Sequence, residues 1–473
     1  MTFSTNSFIL SKTPNESEVY IMLISFVISN FLSFNDKQTF SMQAGKARKH
    51  NKRIYTKSKL KLTKCNAIYG ANGTGKSNLI QAFQFVQNII TDEFPLGFSQ
   101  KYFRQDKAAI DKPSEFEIEF LYNNQIYKYS FSLHLNSGTV LKESLSILTT
   151  TFIEKNLYYR DTQAKKFIIG NYFKSKECIG RLETYGSDSL ENDEILFLNI
   201  INSNKLSLYK QYPELAIIRN AYKWFAKMNI SFPSEILTGY PYLSDSNLDE
   251  ITKLLNALGT GIQKSSIVEV PVNAVKAKIP EKLLSDIKAE LEKSNIKAKK
   301  ADKYVKPVIV ARAYKEFYNF EIDWNDNITV TTIEFGHEND TFFSLREESD
   351  GTVRLLDLIE ILLNNSENQV FVIDEMDRCL HPALTNKLIE LFLSKAEQKN
   401  TQLIITCHES RLLASELLRN DEITFIIKDA TGQSIINPLE KYQLRADKKV
   451  YAALFDGTLD GVPQFKNDVL NTL

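Results

Sequence analysis

The sequence predicts an α/β fold, in which a mixed core sheet carries an antiparallel β-subdomain and a mainly helical insertion. Three observations support this fold class. At 65–90 a short apolar strand runs into a glycine-rich loop and then into a segment with helical apolar spacing. From 116 onward, apolar and polar residues alternate with a period of two, as in an antiparallel meander. Beyond 352, helices alternate with short apolar strands, which is typical of a parallel sheet.

Composition and charge indicate a globular protein of more than one domain. The chain has 473 residues, of which 43% are hydrophobic and 25% charged, and domains of ordinary size would divide it into two or three. Its 58 basic and 58 acidic residues cancel, so any contact with nucleic acid would come from a local patch. The four cysteines lack CxxC spacing, and the five histidines lack metal-ligand spacing to them. This pattern predicts reduced thiols and no structural zinc.

The N-terminal region contains a leader and an apolar stretch. Residues 1–21 are polar and aperiodic, so we expect a poorly ordered leader and regard Met22 as a possible natural start. The apolar stretch 19–34 is shorter than the roughly 20 residues of a membrane span and contains serines and an asparagine. It therefore predicts a buried strand, and with no other candidate segment we expect a cytoplasmic protein without membrane contact.

The pattern along the chain predicts three structured regions after the leader. Residues 22–180 form the N-terminal half of the main domain and include the meander. Residues 181–304 form the mainly helical insertion, which ends in a Glu- and Lys-rich helix with too few apolar heptads for a coiled coil. Residues 305–473 form the C-terminal half, where strands resume and are followed by a helix at 352–363 and buried strands at 370–373 and 403–406.

The glycine-rich loop, GANGTGKS at 70–77, fits the pattern GxxxxGK[ST] at every fixed position. Because it lies between a strand and a helix, we expect a loop whose backbone N–H groups bind the phosphates of ATP. Lys76 would bridge the β- and γ-phosphates, and the Ser77 hydroxyl would ligate Mg²⁺. The predicted nucleotide contacts in this loop are Gly70, Ala71, Asn72, Gly73, Thr74, Gly75, Lys76, Ser77 and Asn78.

Two later strands end in polar side chains that suit hydrolysis. In QVFVIDEMDR the apolar strand ends at Asp374 and Glu375, which predicts that Asp374 holds the metal and Glu375 orients or deprotonates the attacking water. An exposed acidic pair at the start of a helix is the alternative. In LIITCHES a second apolar strand leads to His408, which we predict to contact the γ-phosphate in catalysis, although a structural role is the more usual one for a single histidine.

A third motif, EESDGTVRLLDL, precedes a helix with an apolar face. The Ser349 hydroxyl and the free N–H groups near Gly351 could bind an anion at the helix N-terminus. A simple N-cap is the alternative.

The order of these motifs resembles the ABC-type ATPase heads of the SMC, RecF and OLD proteins. A P-loop, a long insertion, Ser-x-Gly-Thr before a helix, Asp-Glu followed by LHP, and a histidine follow one another. NFLSF at 30–34 is similar to the FxSF element of those heads, and the resemblance covers most of 22–473. The ending VYAALFDGTLDGVPQF is similar to the tail of stand-alone RloA-like ATPases and of the antiphage ATPases PtuA of Septu and AriA of PARIS.

The resemblance implies a role for each matched position. The loop residues would be Walker A, and Asp374 with Glu375 would be Walker B. His408 would be the switch histidine. The implied signature residues are Ser349, Gly351 and Thr352, although Asp350 occupies the place of a signature glycine. For the Q-loop glutamine the resemblance leaves Gln100, Gln105 and Gln125, of which we choose Gln105.

The resemblance also implies partners. The signature of one such head completes the nucleotide site of another, so a chain with one P-loop and one signature is expected to act as a dimer or larger homo-oligomer that hydrolyses ATP. The implied function is that of a regulatory subunit in a prokaryotic antiphage system. The stretch after His408 is too short for the Toprim nuclease domain of OLD proteins, so the expected effector is a separately encoded nuclease.

A second function stays open. In this alternative the chain is a RecF- or SMC-like ATPase of DNA repair or chromosome maintenance that binds DNA directly. Its candidate phosphate contacts are two basic runs, KARKHNKR at 46–53 and KAKKADKYVK at 297–306, although such runs are more often solvated faces.

Overall fold

The computed structural model describes residues 20–92, 94–149, 151–203, 205–233, 245–300, 304–313, 315–363, 368–442, 450–455 and 459. Two compact units divide the chain. We call one the P-loop unit, which spans Glu18–Ser231, Glu367–Asp377 and Thr385–Leu473, and the other the insert unit, which spans Phe232–Ser366 and Arg378–Leu384. Across the described residues no helix combines the length and apolarity needed to cross a membrane.

The core sheet of the P-loop unit has six strands, in the order Met228–Ser231, Val370–Ile373, Gln402–Thr406, Cys65–Tyr69, Ile423–Lys428 and Ser434–Pro438. The first five run parallel to their neighbours, and the last is antiparallel. The strands Val370–Ile373 and Cys65–Tyr69 are buried at every residue, as expected for parallel strands covered on both faces. The predicted mixed core sheet is confirmed.

The second sheet of this unit is antiparallel and has seven strands, in the order Lys166–Ile169, Glu154–Asp161, Thr139–Leu148, Gln125–His134, Ser114–Tyr122, Ile21–Ser29 and Gln38–Ser41. It matches the predicted β-subdomain. The apolar stretch near the N-terminus is one of its buried strands, and this strand begins inside the predicted leader, of which residues 1–19 lie outside the described residues. A separate hairpin pairs Tyr55–Lys57 with Leu60–Leu62.

Helices cover these sheets. Lys76–Thr91 follows the glycine loop, and its buried face includes Phe83, whose ring centroid lies 4.3 Å from that of Phe26 in the antiparallel sheet. This contact anchors the helix that carries Lys76 and Ser77. The other α-helices described in the P-loop unit are Lys176–Ser189, Phe197–Asn202, Leu206–Gln211, Ala216–Ala226, Arg411–Ala414, Val450–Phe455 and, apart from its first three residues, Pro382–Ala396.

The insert unit contains a sheet as well as helices. Its path runs Lys264–Glu269, Ile328–Gly336, Glu316–Ile322 and Val308–Ala313, with Phe342–Ser344 also pairing with Ile328–Gly336. Its helices are Asp245–Ala257, Val272–Lys276, Glu281–Lys299 and Asp350–Leu358. The Glu- and Lys-rich helix belongs to one apolar cluster with this sheet, through Leu284, Ile287 and Leu291.

The units do not follow the predicted boundaries. The predicted insertion, 181–304, is divided between the units at Ser231 and Phe232, and the predicted boundary between 304 and 305 falls inside the insert unit. The physical reason is strand pairing. Met228–Ser231 joins the core sheet beside Val370–Ile373, and Lys264–Glu269 pairs with Ile328–Gly336 across the predicted boundary.

Candidate functional site

The glycine loop leaves the buried strand Cys65–Tyr69 and requires glycine at two positions. Gly70 has φ +156° and Gly75 has φ +109°, in a region that L side chains rarely adopt. A Cβ at 70 would lie 2.3 Å from the Ile426 carbonyl oxygen, and one at 75 would lie 2.3 Å from Ser434 Oγ. A side chain at either position would force these neighbouring atoms to move, so glycine at 70 and 75 allows the loop to pack this closely.

Two serines far apart in the sequence hold the loop. Ser434 Oγ lies 2.5 Å from the Thr74 carbonyl oxygen and 2.6 Å from Ser33 Oγ. Asn78 Nδ2, in the first turn of the next helix, donates to Ser33 Oγ at 2.7 Å. Ser33 is the serine of NFLSF, so in this structure that element braces the glycine loop.

The Lys76 ammonium is drawn back onto the loop. Its Nζ donates to the carbonyl oxygens of Gly70, at 2.7 Å, and Ala71, at 3.1 Å, and the residue is only 6% exposed. These neutral acceptors could be exchanged for phosphate oxygens, which form stronger, charge-assisted hydrogen bonds with an ammonium group.

The predicted carboxylates lie where the strand Val370–Ile373 ends. Thr406, the last residue of the neighbouring strand, fixes both of them: its Oγ1 donates to Asp374 Oδ1 at 2.6 Å and accepts the Glu375 N–H at 2.7 Å. Asp374 is buried. Glu375 has φ +44°, a strained conformation for a residue other than glycine. The threonine therefore holds the backbone turn that sets where Glu375 is presented.

The electrostatics link this turn to the lysine. Burial lowers the pKa of Lys76, and the negative charges of Asp374, Glu375 and Asp377 oppose that shift. An ammonium group and carboxylates therefore act on one another at the carboxyl ends of two parallel strands, Cys65–Tyr69 and Val370–Ile373, which are separated in the sheet by Gln402–Thr406. Ligands bind at this edge in open α/β sheets.

These residues fit a nucleotide phosphate with Mg²⁺. A buried ammonium and a buried carboxylate flank a loop whose backbone is too tightly packed to carry side chains at 70 and 75. Ser77 and Asp374 would hold the metal, which supplies charge neutralisation to the phosphates when it is bound. A hydroxyl and a carboxylate are the hard oxygen donors that Mg²⁺ prefers.

The predicted switch histidine and the candidate Q-loop glutamines lie in different surroundings within the P-loop unit. His408 is exposed and follows the strand Gln402–Thr406 by two residues. The Gln105 amide packs against Gly432, where an added Cβ would lie 2.1 Å from Gln105 Oε1. Gly432 is two residues before Ser434, which braces the glycine loop. By contrast, Gln125 Nε2 donates to the carbonyl oxygens of Ile126 and Leu148.

The predicted signature residues lie in the insert unit. Ser349 is the N-cap of the helix Asp350–Leu358, and its Oγ accepts the Thr352 N–H at 3.1 Å. Lys315 pairs with Asp350 at 2.9 Å. A Cβ at Gly351 would lie 3.1 Å from the Cys379 carbonyl oxygen. The N-cap alternative thus describes the geometry of Ser349, whose Oγ also lies 2.9 Å from Thr352 Oγ1, and an anion-binding role for this turn stays a prediction.

Sequence reasoning assigned no role to Thr406, Asp377, Ser33 or Ser434. The first three lie in quoted motifs, as the residue before Cys-His in LIITCHES, the last acid of DEMD and the serine of NFLSF. Each could have been suspected from its place beside a motif. Ser434 begins an edge strand, and no local pattern distinguishes it from other serines.

The basic run at 46–53 is partly occupied within the protein. Lys49 pairs with Glu416 at 2.9 Å. Arg53 is 4% exposed and donates to the Leu417 carbonyl oxygen at 2.7 Å. In the run at 297–306, Lys299 pairs with Asp326, and Lys306 pairs with Glu321. Several of these charges are therefore engaged by acidic residues rather than presented as a uniform basic surface.

The fold and this site define a P-loop ATPase of the α/β class. The chain matches the family described as "AAA domain, putative AbiEii toxin, Type IV TA system" over residues 65–168 and 187–414. This match spans more than half of the chain, so the protein belongs to that family. Its glycine loop, Asp374, Glu375 and His408 all lie within the matched residues. Family membership supports nucleotide binding and hydrolysis in general.

Solved structures of SMC heads are similar at low identity. An SMC head bound to the C-winged helix domain of ScpA has 12% identity and a TM-score of 0.37, and covers 89% of this chain and 99% of its own. The SMC head domain from Thermotoga maritima has 12% identity and a TM-score of 0.31, and covers 88% of this chain and 98% of its own. An Smc head with an extended coiled coil, bound to the C-terminal domain of ScpA derived from Pyrococcus furiosus, has 12% identity and a TM-score of 0.32. It covers 89% of this chain and 97% of its own.

Similarity at this level carries no functional information about this chain. No curated protein matches it. The resemblance to RloA-like proteins, PtuA and AriA stays a prediction.

Proposed function

We propose that this protein is a Mg²⁺-dependent ATPase that acts as the regulatory subunit of a prokaryotic antiphage system and controls a separately encoded nuclease. The observation that carries the ATPase activity is the turn at Thr406, which fixes Asp374 and Glu375 beside a glycine loop with a buried lysine. The defence role rests on the family description, which names a toxin of a type IV toxin–antitoxin system, and on the motif order.

In the proposed binding step, the backbone N–H groups of the loop and of the first helical turn receive the phosphate oxygens. Lys76 exchanges the carbonyl oxygens of Gly70 and Ala71 for phosphate oxygens. Ser77 and Asp374 would hold Mg²⁺, and the hydrogen bond from Thr406 keeps Asp374 Oδ1 in a single orientation.

In the proposed hydrolytic step, Glu375 orients water and accepts its proton, because its backbone turn presents the carboxylate next to the metal-holding Asp374. His408 contacts the γ-phosphate from the end of the adjacent strand. The reaction converts ATP and water into ADP and phosphate.

Glu375→Gln tests the hydrolytic assignment. We expect turnover to fall by about 10²- to 10⁴-fold, since the amide cannot accept the proton, while ATP affinity stays within about twofold because the loop and its lysine are unchanged. Steady-state phosphate release and equilibrium titration with a fluorescent ATP analogue measure the two effects. Lys76→Ala is the control, and it should lose nucleotide affinity. Wild-type turnover in Glu375→Gln would sink the role of this carboxylate.

The defence role has a separate test. The gene for this chain together with its neighbouring genes, called the operon here, would be compared in plaque assays with a version that carries Lys76→Ala. In a second experiment, the tagged chain would be purified with the protein encoded beside it. That protein would be assayed for nuclease activity with and without ATP. Protection and an ATP-dependent nuclease in the wild type, both lost in Lys76→Ala, are expected. Equal plaque counts with and without the operon would contradict the proposal.

The DNA-binding alternative has less support, because Lys49, Lys299 and Lys306 pair with carboxylates and Arg53 is buried. Salt-dependent binding of duplex DNA by the purified chain alone would favour it instead.

A further inference from the structure

Asp377 lies at the carboxyl end of the core sheet and has no role in the steps proposed above. It follows Asp374 by three residues in the P-loop unit. Its Oδ2 accepts the backbone N–H of His408 at 2.9 Å. Its Oδ1 is buried, and its carboxylate interacts with the neighbouring Cys407 thiol.

The segment around His408 is tied to the strand that precedes the glycine loop. The Cys407 N–H donates to the Ile68 carbonyl oxygen at 3.1 Å, and the Glu409 N–H donates to Cys407 Sγ at 3.3 Å. Tyr69, the residue before Gly70, donates its hydroxyl to the Glu409 carbonyl oxygen at 3.3 Å. The residues on both sides of His408 are therefore tied to the strand that leads into the glycine loop.

At His408 itself, the bond to Asp377 is the charge-assisted one. Hydrogen bonds from an N–H to an ionised carboxylate are shorter and stronger than bonds between neutral groups. The imidazole is exposed, so its place depends on the backbone that this carboxylate holds. Because the carboxylate follows Asp374 and Glu375 on the same turn, one short segment sets the metal ligand, the water-orienting group and the backbone of the histidine.

We propose that Asp377 is a positioning residue for hydrolysis: through the His408 N–H it fixes where the histidine meets the γ-phosphate. This inference rests on the proposed ATPase function. The histidine side chain contacts the substrate, and Asp377 acts only through it.

A double-mutant cycle with a conservative variant tests the proposal. Asp377→Ala should lower kcat by about 10- to 100-fold, the scale expected when a catalytic group is displaced, with ATP affinity within about twofold of wild type. Asp377→Asn keeps an acceptor for the His408 N–H and should recover most of kcat. Since Asp377 acts through the histidine, the double variant Asp377→Ala/His408→Ala should be no slower than His408→Ala.

Full-length chains would be measured by phosphate release and by titration with the fluorescent ATP analogue. If Asp377→Ala fails to fold by circular dichroism, Asp377→Ser replaces it, because its hydroxyl is too short to reach the same amide. Unchanged kcat in the variant that removes the acceptor, or multiplicative losses in the double variant, would overturn the inference. Absence of turnover in the wild type would instead refute the proposed function, which separates the two failures.

Discussion

At the scale of single residues, Glu422 is a buried carboxyl group with a raised pKa. It is fully buried, its Oε2 accepts the Arg419 N–H at 2.8 Å, and the same oxygen lies 3.8 Å from Arg53 NH2. Its Oε1 is buried and has no hydrogen-bond partner among the described residues. Burial raises the pKa of Glu422 to about 7, although Arg53 lowers it in part. The desolvation cost of the carboxylate therefore exceeds what its neighbours return.

This pKa predicts how stability depends on pH. In the unfolded chain Glu422 ionises near 4.5, and in the folded chain near 7. Between these two pH values the unfolded chain has lost the proton at this position while the folded chain still holds it, so a rising pH favours the unfolded chain. The stabilising contribution of Glu422 is therefore fully present below about pH 4.5 and is lost as the pH rises through about 7. Relative to Glu422→Gln, the wild type should lose about 3 kcal/mol of unfolding free energy between pH 4.5 and 8.

Urea unfolding of the wild type and of Glu422→Gln at several pH values measures this difference. Glu292→Gln, at an exposed helix position, is the matched control and should show a flat difference over the same pH range. A flat difference for Glu422→Gln as well would show that the folded-state pKa is not raised.

At the scale of elements, one buried amide joins the two sheets of the P-loop unit. Gln402 begins a core strand, and its Oε1 accepts the Leu23 N–H at 2.6 Å. Its Nε2 lies 3.1 Å from the Leu23 carbonyl oxygen and 3.0 Å from that of Thr63. The pairing of the strand Ile21–Ser29 shifts register between Leu23 and Ser25. The glutamine therefore satisfies backbone groups at the irregular point of the antiparallel sheet.

Gln402→Leu should destabilise the protein by about 3 kcal/mol, because buried backbone groups lose their partner and each unsatisfied group costs about 1–3 kcal/mol. Gln398→Leu makes the same chemical change at an exposed position and should have little effect. Urea unfolding at neutral pH compares the two variants. Equal stability of the two would show that the amide does not hold the sheets together.

The elements that the sequence predicts well are those with a local signal. Val370–Ile373 is a run of apolar residues ended by two acids, and the helix after the glycine loop has a clear apolar face. Met228–Ser231 has no such signal: it is four residues long, only partly apolar, and becomes a core strand through pairing with Val370–Ile373. The brace between Ser33 and Ser434 is likewise set by tertiary contact.

At the scale of the whole molecule, strand pairing decided which parts of the chain belong together. Lys264–Glu269 and Ile328–Gly336 pair along six residues, so the strands that were assigned to the C-terminal half fold with the insertion. The apolar–polar pattern identifies strands but not their partners, so the pairing of two strands distant in sequence has no local signal. The glycine loop and Ser349 lie in different units, and the chain contains one of each motif.

This arrangement leads to a prediction about assembly. If Ser349 of one copy completes the site of another, two inactive variants should complement each other. Lys76→Ala removes the lysine of the loop, and Ser349→Arg blocks the signature turn while leaving ATP binding intact. In a mixed dimer, one of the two sites would combine an intact loop with an intact signature, since a two-fold interface makes both copies contribute equally.

Equal amounts of the two variants would be mixed, and ATP turnover would be compared with that of each variant alone. Random pairing makes half of the dimers mixed, each with one working site of two, so about a quarter of wild-type turnover is expected. Glu375→Gln with ATP should elute as the larger species in size-exclusion chromatography, because a nucleotide that cannot be hydrolysed keeps the interface closed. If the ATP turnover of the mixture is no higher than the average of the two variants measured alone, Ser349 of one copy does not complete the site of another. The prediction of a shared site, and with it the reason to expect an oligomer, would then be wrong.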